Sequence, residues 1–98
     1  MTISKNQNDT KLIIALEGRL DTNTAPQLEA EIKSSLGGIT ELVFELNGLE
    51  YISSAGLRVL LSAQKTMNKQ GKMIIHGTSE EIMEIFDVTG FIDILTIE

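Results

Sequence analysis

Short apolar segments typical of β-strands alternate along this chain with segments whose apolar residues recur at helical spacing. The run from Lys11 to Leu16, within a predicted strand from Lys11 to Glu17, is nearly all apolar, which favours a strand buried on both faces. Leu28, Ile32 and Leu36 then recur at the spacing of one helix face. The same alternation continues to the end of the chain. It predicts an α/β fold in which helices pack on a mixed β-sheet.

The predicted elements follow the order β-β-α-β-α-β-α-β. The predicted strands are Met1 to Lys5, Lys11 to Glu17, Glu41 to Leu46, Lys72 to His76 and Ile92 to Ile97. The predicted helices begin at a Thr24 cap, at Ser54 and at Glu80, and they end at Gly37-Gly38, at Gln70 and at Val88. Turn signals predict a hairpin over Asn6 to Asp9 and a turn at Asn47-Gly48.

Two local details are predicted at helix starts. Thr24 and Gln27 have the spacing of a capping box, with Pro26 in the first turn. Thr78 or Ser79 is expected to cap the third helix, whose first turn carries Glu80 and Glu81. Both patterns predict that these helices are set by short-range hydrogen bonds.

Composition narrows the function classes. With 98 residues, the chain is expected to form one domain over residues 1–98. It has no cysteine and one histidine, His76, which excludes disulfides, thiolate sites and two-histidine metal sites. The net charge of −6 disfavours binding to nucleic acid. No apolar run is long enough to span a bilayer and Met1 to Lys5 lacks signal-peptide character, so we expect a cytoplasmic protein without membrane insertion.

Two adjacent serines, Ser53 and Ser54, stand where the third predicted strand gives way to the second helix. A serine there commonly caps the helix and contributes about 1 kcal/mol. A helix N-terminus also favours anions, so a phosphate on a serine would find free N–H groups there. Gly56, in the first turn, either packs closely against a neighbour or leaves the Ser54 hydroxyl open to a partner.

The second helix has two contrasting faces. No acidic residue occurs between Tyr51 and Ser79, and the basic residues of that stretch are Arg58, Lys65, Lys69 and Lys72. Arg58, Ser62, Lys65 and Lys69 share one stripe, which is either a solvated face or a dock for an acidic partner. The residues of the predicted core face are Leu57, Leu60, Leu61, Gln64 and Met67.

The segment from Tyr51 to Leu57 resembles the phosphorylation motif of the STAS-domain anti-sigma factor antagonists. That motif is an aromatic–apolar pair followed by Asp-Ser-Ser/Thr-Gly-Leu. Tyr51-Ile52 matches the leading pair, Ser54 matches the phospho-acceptor serine, and Gly56-Leu57 matches the closing pair. The sequence departs from the motif at Ser53, where many members have Asp, and at Ala55, where they have Ser or Thr.

Two further segments carry the resemblance over most of the chain. Gly18 to Thr24 resembles the Gly-x-Leu-Asp loop of the family, in which Asp21 corresponds to an acidic residue near the partner-binding surface. The alternative for Asp21 is an Asx-turn that orders the loop. Phe86 to Phe91 resembles the ending of the family's third helix. Many members carry a further C-terminal helix, which is not apparent in this sequence; without it we expect one sheet face or edge to be less covered.

The resemblance implies an anti-sigma factor antagonist that needs no cofactor of its own. The implied partners are an anti-sigma factor that is also a serine kinase of the histidine-kinase-like ATPase fold, and a serine phosphatase that resets the switch. Phosphorylation is implied at Ser54. The implied partner-binding residues are Asp21, Thr22, Asn23, Ser53, Ser54, Ala55, Gly56, Arg58, Val59 and Ser62. Val59 lies off the predicted core stripe, so it either contacts a partner or packs against a neighbouring helix.

Two other function classes are weighed against this one. A STAS module without a phosphorylation switch, acting as a scaffold subunit of a transport or signalling complex, is favoured by Ser53 and Ala55; Ser54 is then only a helix cap. An enzyme is disfavoured because a Gly-x-Ser-x-Gly elbow around Ser54 needs glycine at position 52, where Ile52 stands. His76, at the end of a predicted strand, is expected to be a surface or interface histidine.

Overall fold

A computed structural model describes residues 1–98, and its elements follow the predicted alternation closely. The strands are β1 (Thr2–Asn8), β2 (Lys11–Leu20), β3 (Glu41–Ile52) and β4 (Lys72–His76), and the helices are α1 (Ala25–Ser35), α2 (Ser54–Gln70) and α3 (Glu80–Val88), followed by a 3-10 turn over Phe91–Asp93. The bounds of α2, β4 and α3 coincide with the predicted ones.

The four strands form one mixed sheet in the order β1-β2-β3-β4. The β1–β2 hairpin is antiparallel, whereas β2, β3 and β4 run parallel and are joined by α1 and α2. A parallel pair requires a crossover, and each helix supplies one. The prediction of a mixed sheet with helices packed on it is therefore confirmed.

The core lies between one sheet face and the three helices. Alternate strand positions such as Leu12, Ile14 and Phe44 are fully buried, and they join the helix residues Leu60 and Phe86 in one cluster. On β2 the positions between them, Ile13 and Ala15, are half-buried and do not belong to that cluster. The prediction that the Lys11–Glu17 strand is buried on both faces is thus wrong.

Two turn predictions are also corrected. The hairpin turn is only Asp9-Thr10, with Asp9 in the left-handed region at φ 59°, and the strands pair as far as Asn8 and Lys11. The Asn47-Gly48 signal produces no turn, because β3 continues through it alongside β2. The register instead shifts there by an extra residue, which is a β-bulge.

The last predicted strand, Ile92 to Ile97, is replaced by the 3-10 turn and a single bridge. Ile97 pairs in parallel with Ile75, and the Ile75 N–H donates to the Thr96 carbonyl at 2.8 Å. Leu95 is buried in the core, which holds the segment against β4. None of the helices has the length and apolar character needed to cross a bilayer.

Candidate functional site

The loops that follow β2 and β3 meet at one end of the sheet because the two strands are parallel. Leu20 pairs with Ile52 at the end of the ladder, and the Ser53 N–H donates to the Leu20 carbonyl at 2.9 Å. The Asp21–Asn23 loop therefore lies beside the first turn of α2. We refer to this loop together with the Ser53–Arg58 turn as the Ser54 surface.

The two serines of the Ser54 surface have separate roles. Ser53 has extended backbone and is the cap of α2, and its hydroxyl accepts from the Gly56 N–H at 3.5 Å. Ser54 occupies the first helical position and is exposed, with its hydroxyl left free by the Ser53 cap. Capping is thus done by Ser53, and the Ser54 hydroxyl is available to react.

Asp21 organises the neighbouring loop. Its Oδ1 accepts from the Asn23 N–H at 3.0 Å and from the Thr24 N–H at 3.2 Å, which is an Asx-turn. Its Oδ2 lies 3.8 Å from Arg19 Nε. Partial burial of the carboxylate opposes ionisation, but these N–H donors, the Thr24 hydroxyl and Arg19 outweigh it and hold the pKa of Asp21 below its usual value.

The capping box predicted at α1 is wrong. Thr24 stands at the cap position, but its side chain makes no capping bond to the helix. Its hydroxyl instead donates to the Arg19 carbonyl at 2.8 Å and accepts from the Asp21 N–H at 2.9 Å. The hydroxyl is used to fold the loop back on β2, so the start of α1 is set by loop contacts and Pro26.

Arg19 and Tyr51 form a contact that the sequence did not predict. They are partners in the β2–β3 register, and the guanidinium carbon of Arg19 lies 4.3 Å from the centre of the Tyr51 ring. Arg19 therefore stacks on an exposed ring while facing Asp21. Because the pairing depends on a register shift at Gly18/Arg19, no spacing rule in the sequence could have found it.

Gly56 is a packing residue and not an exposed contact. It is buried, and a Cβ added to it would lie 2.6 Å from Leu20 Cγ and 2.9 Å from Ile52 Cγ1. Gly56 therefore follows the close-packing alternative, and its place among the partner-binding residues stays a prediction. Its absent side chain lets α2 approach the ends of β2 and β3.

Val59 is likewise part of the core. It is only 5% exposed and joins the core cluster, because α1 packs over it. Val59 and Ala63 of α2 face Ile32 and Leu36 of α1 across a shallow groove. Val59 therefore follows the helix–helix packing alternative, and a partner contact by Val59 stays a prediction.

The remaining predicted site residues are accessible. Thr22, Asn23, Arg58 and Ser62 are exposed, whereas Ala55 is half-buried. Thr22, Ala55, Arg58 and Ser62 line one groove between the start of α1 and α2. The groove therefore brings together a residue of the Asp21–Asn23 loop and residues of α2 that are far apart in the chain.

The exposed stripe of α2 is also present as predicted. Arg58, Ser62, Lys65 and Lys69 are all exposed, and none of the three cations has an ion-pair partner within 4.0 Å. The core face differs in detail, since Leu61 is only half-buried.

The other polar groups form no recognisable catalytic set. His76 is exposed, and its Nδ1 lies 3.0 Å from Glu45 Oε2, which fits the prediction of a surface histidine. Ser54 begins α2, whereas His76 ends β4. No group of three histidine or carboxylate side chains is placed to hold a metal ion.

Comparison with known proteins gives a consistent result. A protein-family model described as "STAS domain" matches residues 2–98. BtrV of Bordetella bronchiseptica is 34% identical over 99% of this chain and 85% of its own length. The anti-sigma-B factor antagonist of Bacillus subtilis is 31% identical over 97% of this chain and 86% of its own length.

Solved structures show the same fold at lower identity. The unphosphorylated anti-sigma factor antagonist SpoIIAA superposes with a TM-score of 0.78 at 18% identity, covering 99% of this chain and 87% of that one. The phosphorylated form of SpoIIAA from Bacillus gives 0.77 at 19% identity, covering 99% and 91%. An anti-sigma factor antagonist from Mycobacterium paratuberculosis gives 0.88 at 22% identity, covering 98% and 83%.

Proposed function

The chain belongs to the STAS domain family, which is a family of regulatory binding proteins and not of enzymes, and we propose that it is an anti-sigma factor antagonist switched by phosphorylation of Ser54. The observation that carries this proposal is that the two adjacent serines have different structural roles. Ser53 caps α2, and the exposed Ser54 hydroxyl is free at the joint between two loops. A relative 31% identical to this chain bears the name anti-sigma-B factor antagonist.

In the proposed cycle, the unphosphorylated chain binds an anti-sigma factor and thereby frees the sigma factor. The binding partner is a serine kinase of the histidine-kinase-like ATPase fold. The contact is made by Asp21, Thr22 and Asn23 of the Ser54 surface and by Arg58 and Ser62 of α2. Thr22, Arg58 and Ser62 line one groove beside Ser54's helix turn and are exposed. These events take place in the cytoplasm.

The switch itself is a phosphoryl transfer from ATP, which the kinase brings with its Mg²⁺. The Ser54 Oγ forms a bond to the γ-phosphorus, the bond from that phosphorus to the β,γ-bridging oxygen breaks, and ADP leaves. The hydroxyl proton passes to a base of the kinase. The product carries about −1.5 to −2 extra charge in the middle of the contact surface, which breaks the complex by repulsion and desolvation. A serine phosphatase reverses the step.

The test has two parts. The intact mass and phosphosite map of the chain from its own cells should show a fraction with one phosphoryl group on Ser54. The kinase identified as its partner should then bind wild type and Ser54→Ala, and it should not bind Ser54→Asp. Ser34→Asp, which adds the same charge at an exposed serine of α1, is the matched control and should bind normally.

The scaffold alternative predicts a different pattern. A STAS subunit without a switch carries no phosphate on Ser54 under any growth condition, and Ser54→Asp leaves its complex intact. That pair of results would overturn the proposed switch and leave the binding role. Ser53 in place of the family's usual Asp is the feature that favours it.

A further inference from the structure

Arg58 is the cation of α2 best placed to respond to a change at Ser54. The two residues are four positions apart on the helix, so they lie on the same face about 6 Å apart along the axis. Helical side chains lean toward the N-terminus, which brings the Arg58 side chain back over the turn that holds Ser54. Arg58 lines the groove between the start of α1 and α2, whose charged or polar lining residues also include Thr22, Ser62 and Glu29 of α1.

The Arg58 guanidinium is not engaged elsewhere. It is exposed and has no carboxylate within 4.0 Å, whereas Arg19 stacks on Tyr51 at 4.3 Å and faces Asp21 at 3.8 Å. Lys65 and Lys69 lie about 16 Å and 22 Å from Ser54 along the α2 axis, which is beyond the reach of a group on Ser54. Arg58 is therefore the available cation within one helical turn.

From this geometry we propose that Arg58 is the internal counter-ion of a phosphate on Ser54, and that phosphorylation withdraws Arg58 from the docking surface. Guanidinium and phosphate form charge-assisted, often bidentate hydrogen bonds, which are stronger than those between neutral groups. One modification then changes the surface twice, since it adds an anion and also occupies the nearest free cation. The inference rests on the proposed phosphorylation of Ser54.

The pairing is measurable on the full chain without any partner. Phosphoserine is placed at position 54 by genetic encoding or chemical synthesis, and ³¹P NMR follows its second ionisation, whose usual pKa is about 6. We compare the phosphorylated wild type with Arg58→Met, which keeps the apolar stem, and with Arg58→Lys. Lys65→Met is the matched control, because it removes one charge from the same stripe outside reach of the phosphate.

The phosphate of wild type and of Lys65→Met should titrate at the same pH, and that of Arg58→Met at least about half a unit higher. The phosphate pKa of Arg58→Lys should lie between those of wild type and Arg58→Met, because lysine keeps the charge but cannot make the bidentate hydrogen bonds of a guanidinium. The N–H groups of the first turn are present in every variant, so the difference reports the side chain alone. The difference should shrink in 1 M salt.

Identical titration of wild type and Arg58→Met would overturn the proposal, as would a shift produced only by Arg19→Met. Since the phosphate is installed without the kinase, a failure here leaves the proposed switch standing. Conversely, absence of phosphate on Ser54 in cells together with an intact Ser54→Asp complex refutes the proposed switch whatever the NMR result.

Binding of the kinase partner provides a second test of the proposal. With the kinase in hand, unphosphorylated Arg58→Met should bind more weakly than wild type, and Lys65→Met should be affected less. Binding of Arg58→Met equal to that of wild type would show that no docking contact is withdrawn, and it would overturn that half of the proposal.

Discussion

The guanidinium carbon of Arg19 lies 4.3 Å from the centre of the Tyr51 ring. This contact links the ends of β2 and β3 beside the Ser54 surface. Both side chains are exposed, so the contact is expected to be modest, about 0.5–1 kcal/mol. The position of the contact is what matters, because Arg19 also faces Asp21 in the loop that borders Ser54.

The first prediction concerns this stack. A double-mutant cycle of Arg19→Met and Tyr51→Leu, followed by urea unfolding, should give a coupling free energy of about 0.5–1 kcal/mol. The Asn23 and Thr24 amides should also exchange faster with solvent in Arg19→Met. Strictly additive effects would show that the two side chains are neighbours without an energetic link.

The second prediction concerns Asp21 and pH. Its folded pKa is lowered, so its contribution to stability is fully present above the unfolded value near 3.9 and is lost as the pH falls through the folded pKa. The Asn23 and Thr24 amide resonances should therefore shift on acidification below about pH 4. In Asp21→Asn the acceptor is kept and the charge is removed, so that acid-dependent shift should vanish. Its persistence would assign the transition to another carboxylate.

The third prediction separates the two serines by stability. Ser53→Ala should destabilise the chain by about 0.5–1 kcal/mol, because it removes the acceptor for the Gly56 N–H. Ser54→Ala should be within about 0.5 kcal/mol of wild type, as is usual for an exposed position. Chemical denaturation of the two variants side by side checks this. Equal losses would mean that the serines share the cap.

The fourth prediction concerns the buried glycine of α2. Gly56→Ala forces a methyl group to within 2.6 Å of Leu20 Cγ, and such overpacking typically costs about 1–3 kcal/mol. The higher helix propensity of alanine stabilises the helix by at most about 1 kcal/mol, so the free energy of unfolding should decrease overall. Gly37→Ala is the control, since its Cβ would meet nothing within 4 Å. A Gly56→Ala variant as stable as wild type would show that Leu20 repacks freely.

The bounds of α2 illustrate what local sequence settles. A serine at the strand exit, apolar residues at helical spacing and Gly71 at the end all act within a few residues of one another, and the helix runs over Ser54–Gln70 as predicted. The same holds for α3, where Ser79 caps the helix by accepting from the Ile82 N–H at 3.2 Å. Short-range hydrogen bonds need no knowledge of the rest of the chain.

The motif located the candidate site in the sequence, but it did not show which of the neighbouring residues are exposed there and which are buried. The sequence placed Ser54 at a helix start and gave Asp21 either a loop or a docking role, and the structure provides the Asx-turn. The burial of Gly56 and Val59 could not be read from α2 alone, because it depends on Leu20 of β2 and on α1. Sequence periodicity shows which residues share a helix face, but not how wide a face the neighbours cover.

By itself the sequence determined the alternation of strands and helices and a serine cap at the start of α2, whereas the assignment of that cap to Ser53, which leaves Ser54 free, came from the structure. Only the tertiary structure decided that Asn47-Gly48 stays within β3 and that Arg19 reaches Tyr51. The physical reason is that capping bonds and apolar periodicity act between residues one turn apart. Strand register and helix coverage depend instead on contacts between residues some 30 positions apart, whose energies outweigh a local turn preference.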